Sequence, residues 1–272
     1  MNLQVVFVRS AVATFIASVS ACATTTKAST PDAVAQPIAF ISRGDSLPIT
    51  VFQAGLGDGK DSWSALLRAH PSSAAVFTYD RPGYGKSVVA VSPRDPCTIA
   101  AELHETLRVA KLAPPYVLVG HSLGGLYQYA FVKLYPNEVV GMLLIEPTHP
   151  DHWARMQKEA SFSAGIVRTM RHTVFSPTAK REFDDSEICT DRLKSLPAPT
   201  VPMRLLGRKT FEGTESGEFE RLIRKLWADW TTLLPGITHR EVERTGHYIH
   251  KDRTDVVEQE LQALLKKVRQ TP

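Results

Sequence analysis

The chain has 272 residues and a formal net charge of +4, with 43% hydrophobic and 22% charged residues, which is an ordinary globular composition. Lysine and arginine are scattered and form no run of five or more. We therefore expect no nucleic-acid partner. The length suffices for one large domain with a sizeable core.

The N-terminus has the pattern of an export signal. Arg9 is the only charge beside a short apolar core at 11–19, which is too short to span a bilayer as a helix. Val19 and the three residues after it, Ser-Ala-Cys, resemble a bacterial lipobox, so we predict a signal peptide at 1–21 and lipidation of Cys22. Cleavage after Ala23 is the alternative. Residues 22–37 predict a flexible tether, and the whole pattern predicts export to the cell envelope or periplasm, with a lipid anchor as the membrane contact.

Two cysteines lie beyond this segment, Cys97 and Cys189. In an oxidising compartment they could form one disulfide, which is our hypothesis. Two buried free thiols are the alternative, because separation in sequence says nothing about distance in space.

The remaining residues, 38–272, alternate predicted strands with predicted helices. Apolar runs predict strands at 38–42, 48–52, 74–79, 117–119, 139–145, 201–206 and 238–242. Helical spacing predicts helices that end near residue 69 and that cover 95–111, 217–234 and 254–268.

Two glycine-rich loops follow strands early in this segment. The loop 53–59 contains three glycines, which let the backbone approach a ligand closely. The loop 80–87 ends in Gly-Lys-Ser, but a phosphate-binding loop needs a glycine where Asp80 stands. We interpret 80–87 as a structural turn, with Asp80 and Arg81 paired or hydrogen-bonded near the end of the sheet.

The sequence Gly-His-Ser-Leu-Gly-Gly at 120–125 stands between an apolar strand and a helical pattern. This context is typical of a nucleophile elbow, in which Ser122 lies on a sharp strand-to-helix turn. Gly120 and Gly124 would leave room for the strand and the helix to approach each other. The N-terminus of the helix favours an oxyanion nearby.

An elbow enzyme holds the oxyanion with two backbone N–H groups. One belongs to the residue after the nucleophile, here Leu123, and we assign the other to Leu56 in the loop 53–59. A plain tight turn is the alternative interpretation of that loop.

Glu146 directly follows the predicted strand 139–145, where open α/β sheets place their sites. Residues 148–199 then break the alternation of strand and helix, and their apolar residues have helical spacing. We predict a helical cap over the site, whose apolar residues line a pocket or pack on the core. His247 follows the last strand, in the position of a general base when the order is Ser, acid, His.

These motifs together resemble the α/β-hydrolase superfamily over nearly all of 38–268. The resemblance is carried by the segments 120–125, 79–87, 54–58 and 245–248. It implies a doubly wound, mostly parallel eight-stranded sheet with helices on both faces and the helical cap inserted after strand six. It also implies a triad acid, most commonly an Asp after the seventh strand.

No Asp stands after the predicted strand 201–206. Some members of the superfamily take the acid from the end of the sixth strand, which corresponds to Glu146. We therefore predict Glu146 as the acid, with Glu212 and Asp151 as alternatives.

The resemblance implies a serine hydrolase with Ser122, His247 and Glu146 as its triad. We expect a small or medium apolar carboxylic ester as substrate, cleaved through an acyl-enzyme. A catalytically silent binding protein on the same scaffold and an aminopeptidase-type hydrolase are the alternatives. The sequence contains no metal-binding or cofactor motif, so neither a metal nor a cofactor is expected.

Overall fold

The computed structural model describes residues 3–8, 36–91 and 93–270. Cys22 and most of the predicted tether lie outside these ranges, so the lipidation and the tether stay predictions. Leu3–Val8 forms a strand within the predicted signal peptide. Removal of residues 1–21 on export would take this strand away.

Seven strands from residue 36 onward form one mostly parallel sheet, and Leu3–Val8 pairs antiparallel with the first of them. The strands are β1 (Leu3–Val8), β2 (Gln36–Arg43), β3 (Ser46–Gln53), β4 (Ala74–Tyr79), β5 (Tyr116–His121), β6 (Val139–Ile145), β7 (Met203–Arg208) and β8 (Thr238–Val242). Their order across the sheet is β1-β2-β4-β3-β5-β6-β7-β8. The predicted mostly parallel α/β fold is confirmed.

Helices cover both faces of this sheet. They are α1 (Ser64–Ala69), α2 (Pro96–Val109), α3 (Leu123–Leu134), α4 (His152–Glu159), α5 (Ser161–Thr173), α6 (Pro177–Asp184), α7 (Thr190–Ser195), α8 (Glu218–Leu233), α9 (Ile249–Asp252) and α10 (Thr254–Gln270). None of the helices in the described ranges is both long enough and apolar enough to cross a bilayer.

The apolar run of β5 supplies both sides of the core. Tyr116 and Leu118 join the cluster packed with α2 and α3, whereas Val117 and Val119 join the cluster packed with α1 and α10. Neighbouring side chains of a strand point to opposite faces. A strand that is apolar at every position is therefore buried on both sides, which explains the continuous run in the sequence.

The start of β7 differs from its prediction. Pro202 was expected within the strand, but the strand begins at Met203. Proline has no N–H to donate to a ladder, and the Pro202 carbonyl instead accepts a hydrogen bond from the Met142 N–H at 3.1 Å. The strand therefore starts two residues later than the predicted 201.

Four helices, α4 to α7, lie between β6 and β7, within the segment predicted as a cap. A covalent contact joins this insertion to the rest of the domain. The sulfurs of Cys97, at the start of α2, and Cys189, just before α7, lie 2.16 Å apart. Asp95 caps α2 beside this bridge by accepting hydrogen bonds from the Cys97 and Thr98 N–H groups at 3.0 and 3.1 Å.

We expect the double variant Cys97→Ser/Cys189→Ser to lower the free energy of unfolding by about 4 kcal/mol, because the bridge spans 92 positions and restricts the unfolded chain. Urea unfolding of the variant and of the oxidised protein measures the difference. Alkylation of the unfolded, unreduced protein should leave both cysteines unmodified. Free thiols at these positions would contradict the disulfide.

Candidate active site

Ser122 lies on a strained turn between β5 and α3. Its φ of +53° and ψ of −124° are rarely adopted by a residue with a side chain. Three backbone hydrogen bonds hold it there: its N–H donates to the Ile145 carbonyl at 3.0 Å, and its carbonyl accepts from Gly125 at 2.9 Å and Thr148 at 3.0 Å. Strain of this kind persists only where surrounding contacts impose it.

The elbow glycines are required by close backbone contacts. A Cβ atom on Gly120 would lie 2.6 Å from the Gly124 carbonyl oxygen. One on Gly124 would lie 2.6 Å from the Ala54 carbonyl oxygen and closer still to that of Gln53. No side chain fits at either position while β5, α3 and the loop after β3 stay in place.

His247 lies beside Glu146 beyond the carboxyl ends of the strands. The His247 Nδ1 atom is 3.3 Å from the Glu146 Oε2 atom. The Glu146 side chain is 3% exposed, and that of His247 is 36% exposed. The imidazole therefore has one side against a buried carboxylate and another open toward the cavity.

The carboxylate of Glu146 is held by the neighbouring strand. Its Oε1 atom accepts a hydrogen bond from the Arg208 N–H at 2.6 Å, and its Oε2 atom lies 3.4 Å from Arg208 Nε. Its own N–H continues the ladder to the Leu206 carbonyl at 2.8 Å. Arg208 thus occupies the end of β7, near where the superfamily more commonly has its acid.

The two alternative acids lie elsewhere. Asp151 pairs with Lys194 at 2.7 Å, and Glu212 is exposed after β7. Among the described residues, neither carboxylate contacts His247. The geometry therefore favours Glu146 over both.

The loop after β3 lies against the nucleophile. A Cβ atom on Gly55 would lie 3.2 Å from the Ser122 Cβ atom. Leu123 is the first residue of α3, so its N–H has no partner within the helix. Among the described residues, neither the Leu56 nor the Leu123 N–H donates to another protein group.

The predicted site residues share one cavity of about 320 Å³. Ser122, His247, Glu146, Leu56 and Leu123 all line it. The inserted helices and α8 supply most of its apolar wall: Trp153, Met156, Val167, Met170, Phe175, Phe183, Phe219, Ile223 and Trp227. Phe162, another apolar residue of the insertion, instead faces solvent with 63% exposure.

Three residues of this site were not expected from the sequence. His149 and His152 line the cavity, although neither belongs to a sequence motif. Both lie where the chain passes from β6 to α4. Arg208 lines it as well and pairs with Glu215 at 2.6 Å. Only their closeness in sequence to Glu146 and to the end of β7 could have drawn attention to them.

Burial keeps His149 and His152 neutral near pH 7. Burial lowers the pKa of His149 to about 4 and that of His152 also to about 4. The His149 Nδ1 atom accepts a hydrogen bond from the Asp151 N–H at 3.1 Å, so the single proton of the neutral ring is on Nε2.

Comparisons with known proteins identify the family of this chain. Residues 51–260 match the alpha/beta hydrolase family. The chain is 25% identical over 219 residues to the uncharacterised protein YqjL of Bacillus subtilis, covering 79% of this chain and 82% of the relative. A shorter match, 30% identical over 106 residues, covers 38% of this chain and 31% of a (lyso)-N-acylphosphatidylethanolamine lipase of Bos taurus.

The fold is also similar to a solved structure of a thermophilic esterase from Thermogutta terrifontis. The TM-score is 0.62 at 19% identity, and the match covers 89% of this chain and 97% of the esterase. The fold, the site and the relatives together define a hydrolase. The chain belongs to the alpha/beta hydrolase family.

We expect the stability of the protein to fall as the pH decreases from 6.5 toward 4. The unfolded chain binds a proton at His149 below its ordinary pKa of 6.5, whereas the folded protein binds it only near 4. Between these values the unfolded state binds more protons, so His149 alone contributes a loss of up to about 3 kcal/mol.

Urea unfolding of wild type and His149→Gln at about pH 7 and about pH 4.5 measures this linkage. The glutamine variant should lose less stability between the two values, because it cannot bind the proton. His172→Gln, at an exposed position of α5, is the control and should keep the wild-type loss. Equal losses in wild type and His149→Gln would contradict the assignment.

Proposed function

We propose that this hydrolase is a serine carboxylesterase that acts on small or medium apolar esters through an acyl-enzyme. The observation that carries the proposal is the sharing of one apolar cavity by the strained Ser122 turn and the His247–Glu146 pair. A free serine hydroxyl is a weak nucleophile at neutral pH and needs an adjacent base. His247 is the base that this cavity offers.

The proposed steps follow from the placement of these groups. The His247 Nδ1–H donates to Glu146, which leaves Nε2 free to accept the proton of the Ser122 hydroxyl. The Ser122 oxygen forms a bond to the ester carbonyl carbon, and the carbonyl oxygen becomes an oxyanion held by the Leu56 and Leu123 N–H groups. Collapse breaks the bond to the alcohol, which leaves with the proton from His247.

A water molecule then repeats the sequence on the acyl-enzyme. His247 takes a proton from the water, whose oxygen bonds to the acyl carbon. Collapse of the second tetrahedral intermediate releases the carboxylic acid and returns the proton to Ser122. Glu146 stays ionised throughout and stabilises the imidazolium that forms in each half-reaction.

The size and the lining of the cavity favour a compact apolar substrate. Its volume of about 320 Å³ is near the lower end of the range of about 300–1,000 Å³ that ligand pockets span. Two of its acidic groups are already engaged: Glu215 pairs with Arg208, and Glu187 accepts the Ala154 N–H at 2.9 Å. This favours an ester over the free amine that an aminopeptidase must bind.

The same proposal favours an active enzyme over a silent binding protein. The reason to consider a silent scaffold was the lack of an acid after strand seven. The Glu146 carboxylate from β6 lies beside His247, which supports an active triad. We also propose export, which the N-terminal pattern and the Cys97–Cys189 contact support, because disulfides persist in oxidising compartments.

Ser122→Ala should abolish hydrolysis of a p-nitrophenyl ester series, from acetate to octanoate, with a loss of roughly 10⁴-fold or more in kcat. Labelling by a fluorophosphonate probe should disappear with it. Ser195→Ala, at an exposed position of α7, is the control and should retain both. Unchanged hydrolysis by Ser122→Ala would overturn the proposal.

Glu146→Gln should lower kcat by roughly 10⁴-fold, since an amide cannot hold the imidazole in the required tautomer or stabilise its charged form. Glu212→Gln and Asp151→Asn are the matched controls, and each should stay near the wild-type rate. The kinetics of the three purified variants on one ester decide the assignment. A large loss in either control, with Glu146→Gln active, would move the acid to that residue.

A further inference from the structure

Arg81 clamps the loop that carries the proposed oxyanion donor. Its side chain is buried just after β4, and its two terminal nitrogens donate to the carbonyl oxygens of Ala54 and Gly55 at 2.6 and 2.8 Å. The sequence predicts 80–87 as a structural turn, with Asp80 and Arg81 paired or hydrogen-bonded near the end of the sheet. In the structure the two side chains have different partners. Arg81 bonds to the loop, and the Asp80 carboxylate forms an ion pair with Lys60 at 2.8 Å.

This clamp helps to set the direction of the Leu56 N–H, together with the Asp58 N–H, which donates to the same Gly55 carbonyl at 3.3 Å. The Gly55 carbonyl and the Leu56 N–H belong to one planar peptide group, and in a trans peptide they point in opposite directions. A hydrogen bond that fixes the Gly55 oxygen toward Arg81 therefore directs the Leu56 N–H away from Arg81. The same loop lies against Ser122 at Gly55.

The guanidinium of Arg81 is itself oriented by a carboxylate from the inserted helices. Glu182, on α6, is fully buried and accepts hydrogen bonds from the Arg81 Nε and Nη2 atoms, each at 2.9 Å. Two parallel hydrogen bonds of this kind fix the guanidinium plane relative to the carboxylate plane, so the orientation of Arg81 depends on Glu182.

The other end of the loop reaches the same carboxylate through a tyrosine. The Tyr84 hydroxyl donates to Glu182 Oε2 at 2.8 Å and accepts a hydrogen bond from the Gly57 N–H at 3.4 Å. Arg94 adds a longer contact to Glu182 at 3.5 Å, while its main partner is Glu102 at 2.6 Å. Glu182 is thus the common acceptor for Arg81 and Tyr84, the two side chains that hydrogen-bond to the backbone of this loop.

Stability alone does not require such a contact. Buried ion pairs are often no more stabilising than well-packed apolar residues of similar volume, because both charges must be desolvated. What the ion pair adds is direction, since the guanidinium and the carboxylate meet in one geometry. The oriented guanidinium in turn orients the Gly55–Leu56 peptide group through its hydrogen bond to the Gly55 carbonyl.

We propose that Glu182 and Arg81 are positioning residues of the oxyanion hole, so that the inserted helices orient the Leu56 N–H as well as line the cavity. This inference rests on the serine hydrolase function proposed above. The insertion then contributes to transition-state stabilisation, because an N–H that points poorly at the developing oxyanion stabilises it less.

The test compares Glu182→Gln and Arg81→Lys with wild type. Loss of a whole oxyanion donor costs about 10²–10³-fold in kcat, so loss of its orientation should cost about 10–100-fold. KM should change by less than about threefold, because the ground-state carbonyl is held mainly by the cavity. Asp184→Asn is the matched control on the same helix; its carboxylate pairs with Arg171, and kcat should stay near wild type.

A second readout does not depend on turnover. Amide hydrogen exchange of the peptide containing residues 54–58 should accelerate in Glu182→Gln and Arg81→Lys and stay unchanged in Asp184→Asn. Tyr84→Phe removes the hydroxyl that joins the Gly57 N–H to Glu182 but removes no charge, so it should accelerate exchange at Gly57 alone. This variant provides the test if a charge variant fails to fold.

The outcomes separate the two proposals. Unchanged exchange in the loop of folded Glu182→Gln or Tyr84→Phe would overturn the positioning role, whatever happens to kcat. Faster exchange at 54–58 and a lower kcat in Asp184→Asn would also overturn it, because any change of a carboxylate on α6 would then have the same effect as the loss of Glu182. If wild type cleaves no ester and takes no fluorophosphonate, the esterase proposal fails, while faster exchange in the variants would still support the orientation of the loop by Glu182.

Discussion

Two strained residues at the ends of neighbouring parallel strands determine the layout of this site. Ser122 and Glu146 both have positive φ, +53° and +49°, and each directly follows a central strand. The ladder continues through them, because Ser122 donates to the Ile145 carbonyl and Glu146 to the Leu206 carbonyl. The rigid sheet holds both residues in conformations that an isolated chain would rarely adopt.

The strain at Ser122 explains its surroundings. A sharp turn needs the helix and the strand close together, and that closeness leaves no room for side chains at Gly120 and Gly124. The helix that starts at Leu123 then directs its free N–H groups toward the same point. One constraint on the backbone therefore places the Ser122 hydroxyl and a free backbone N–H at the same point of the cavity.

The strain at Glu146 is linked to the arginine at the end of the next strand. Arg208 donates its N–H to Glu146 and pairs through its guanidinium with Glu215. It also lies over the Phe211 ring, 4.4 Å from the ring centre. A cation at the end of β7 is compatible with an acid at the end of β6, since it offsets the cost of burying that carboxylate beside His247.

The insertion contributes to the site in two ways. Its apolar side chains close the cavity around the strand ends, and its buried Glu182 contacts Arg81, which holds the loop after β3. The Cys97–Cys189 contact lies close in sequence to Arg94 and Asp185, which are themselves joined at 2.9 Å. The Arg94 backbone N–H donates to the Asp185 carboxylate there, so a covalent contact and a hydrogen bond attach the insertion to the domain around one region.

Local features of the sequence determined the elbow, the strand-end glutamate and the late histidine as candidates. Glycine spacing, an apolar run and the order of residues act over a few positions, so they can be interpreted without the fold. The resemblance already predicted Glu146 ahead of Asp151 and Glu212, but its contact with His247 appears only in the structure, because the two residues are 101 positions apart in sequence. The Arg81–Glu182 pair and the neutral His149 were likewise decided by tertiary packing, since desolvation and side-chain direction exist only once distant segments meet.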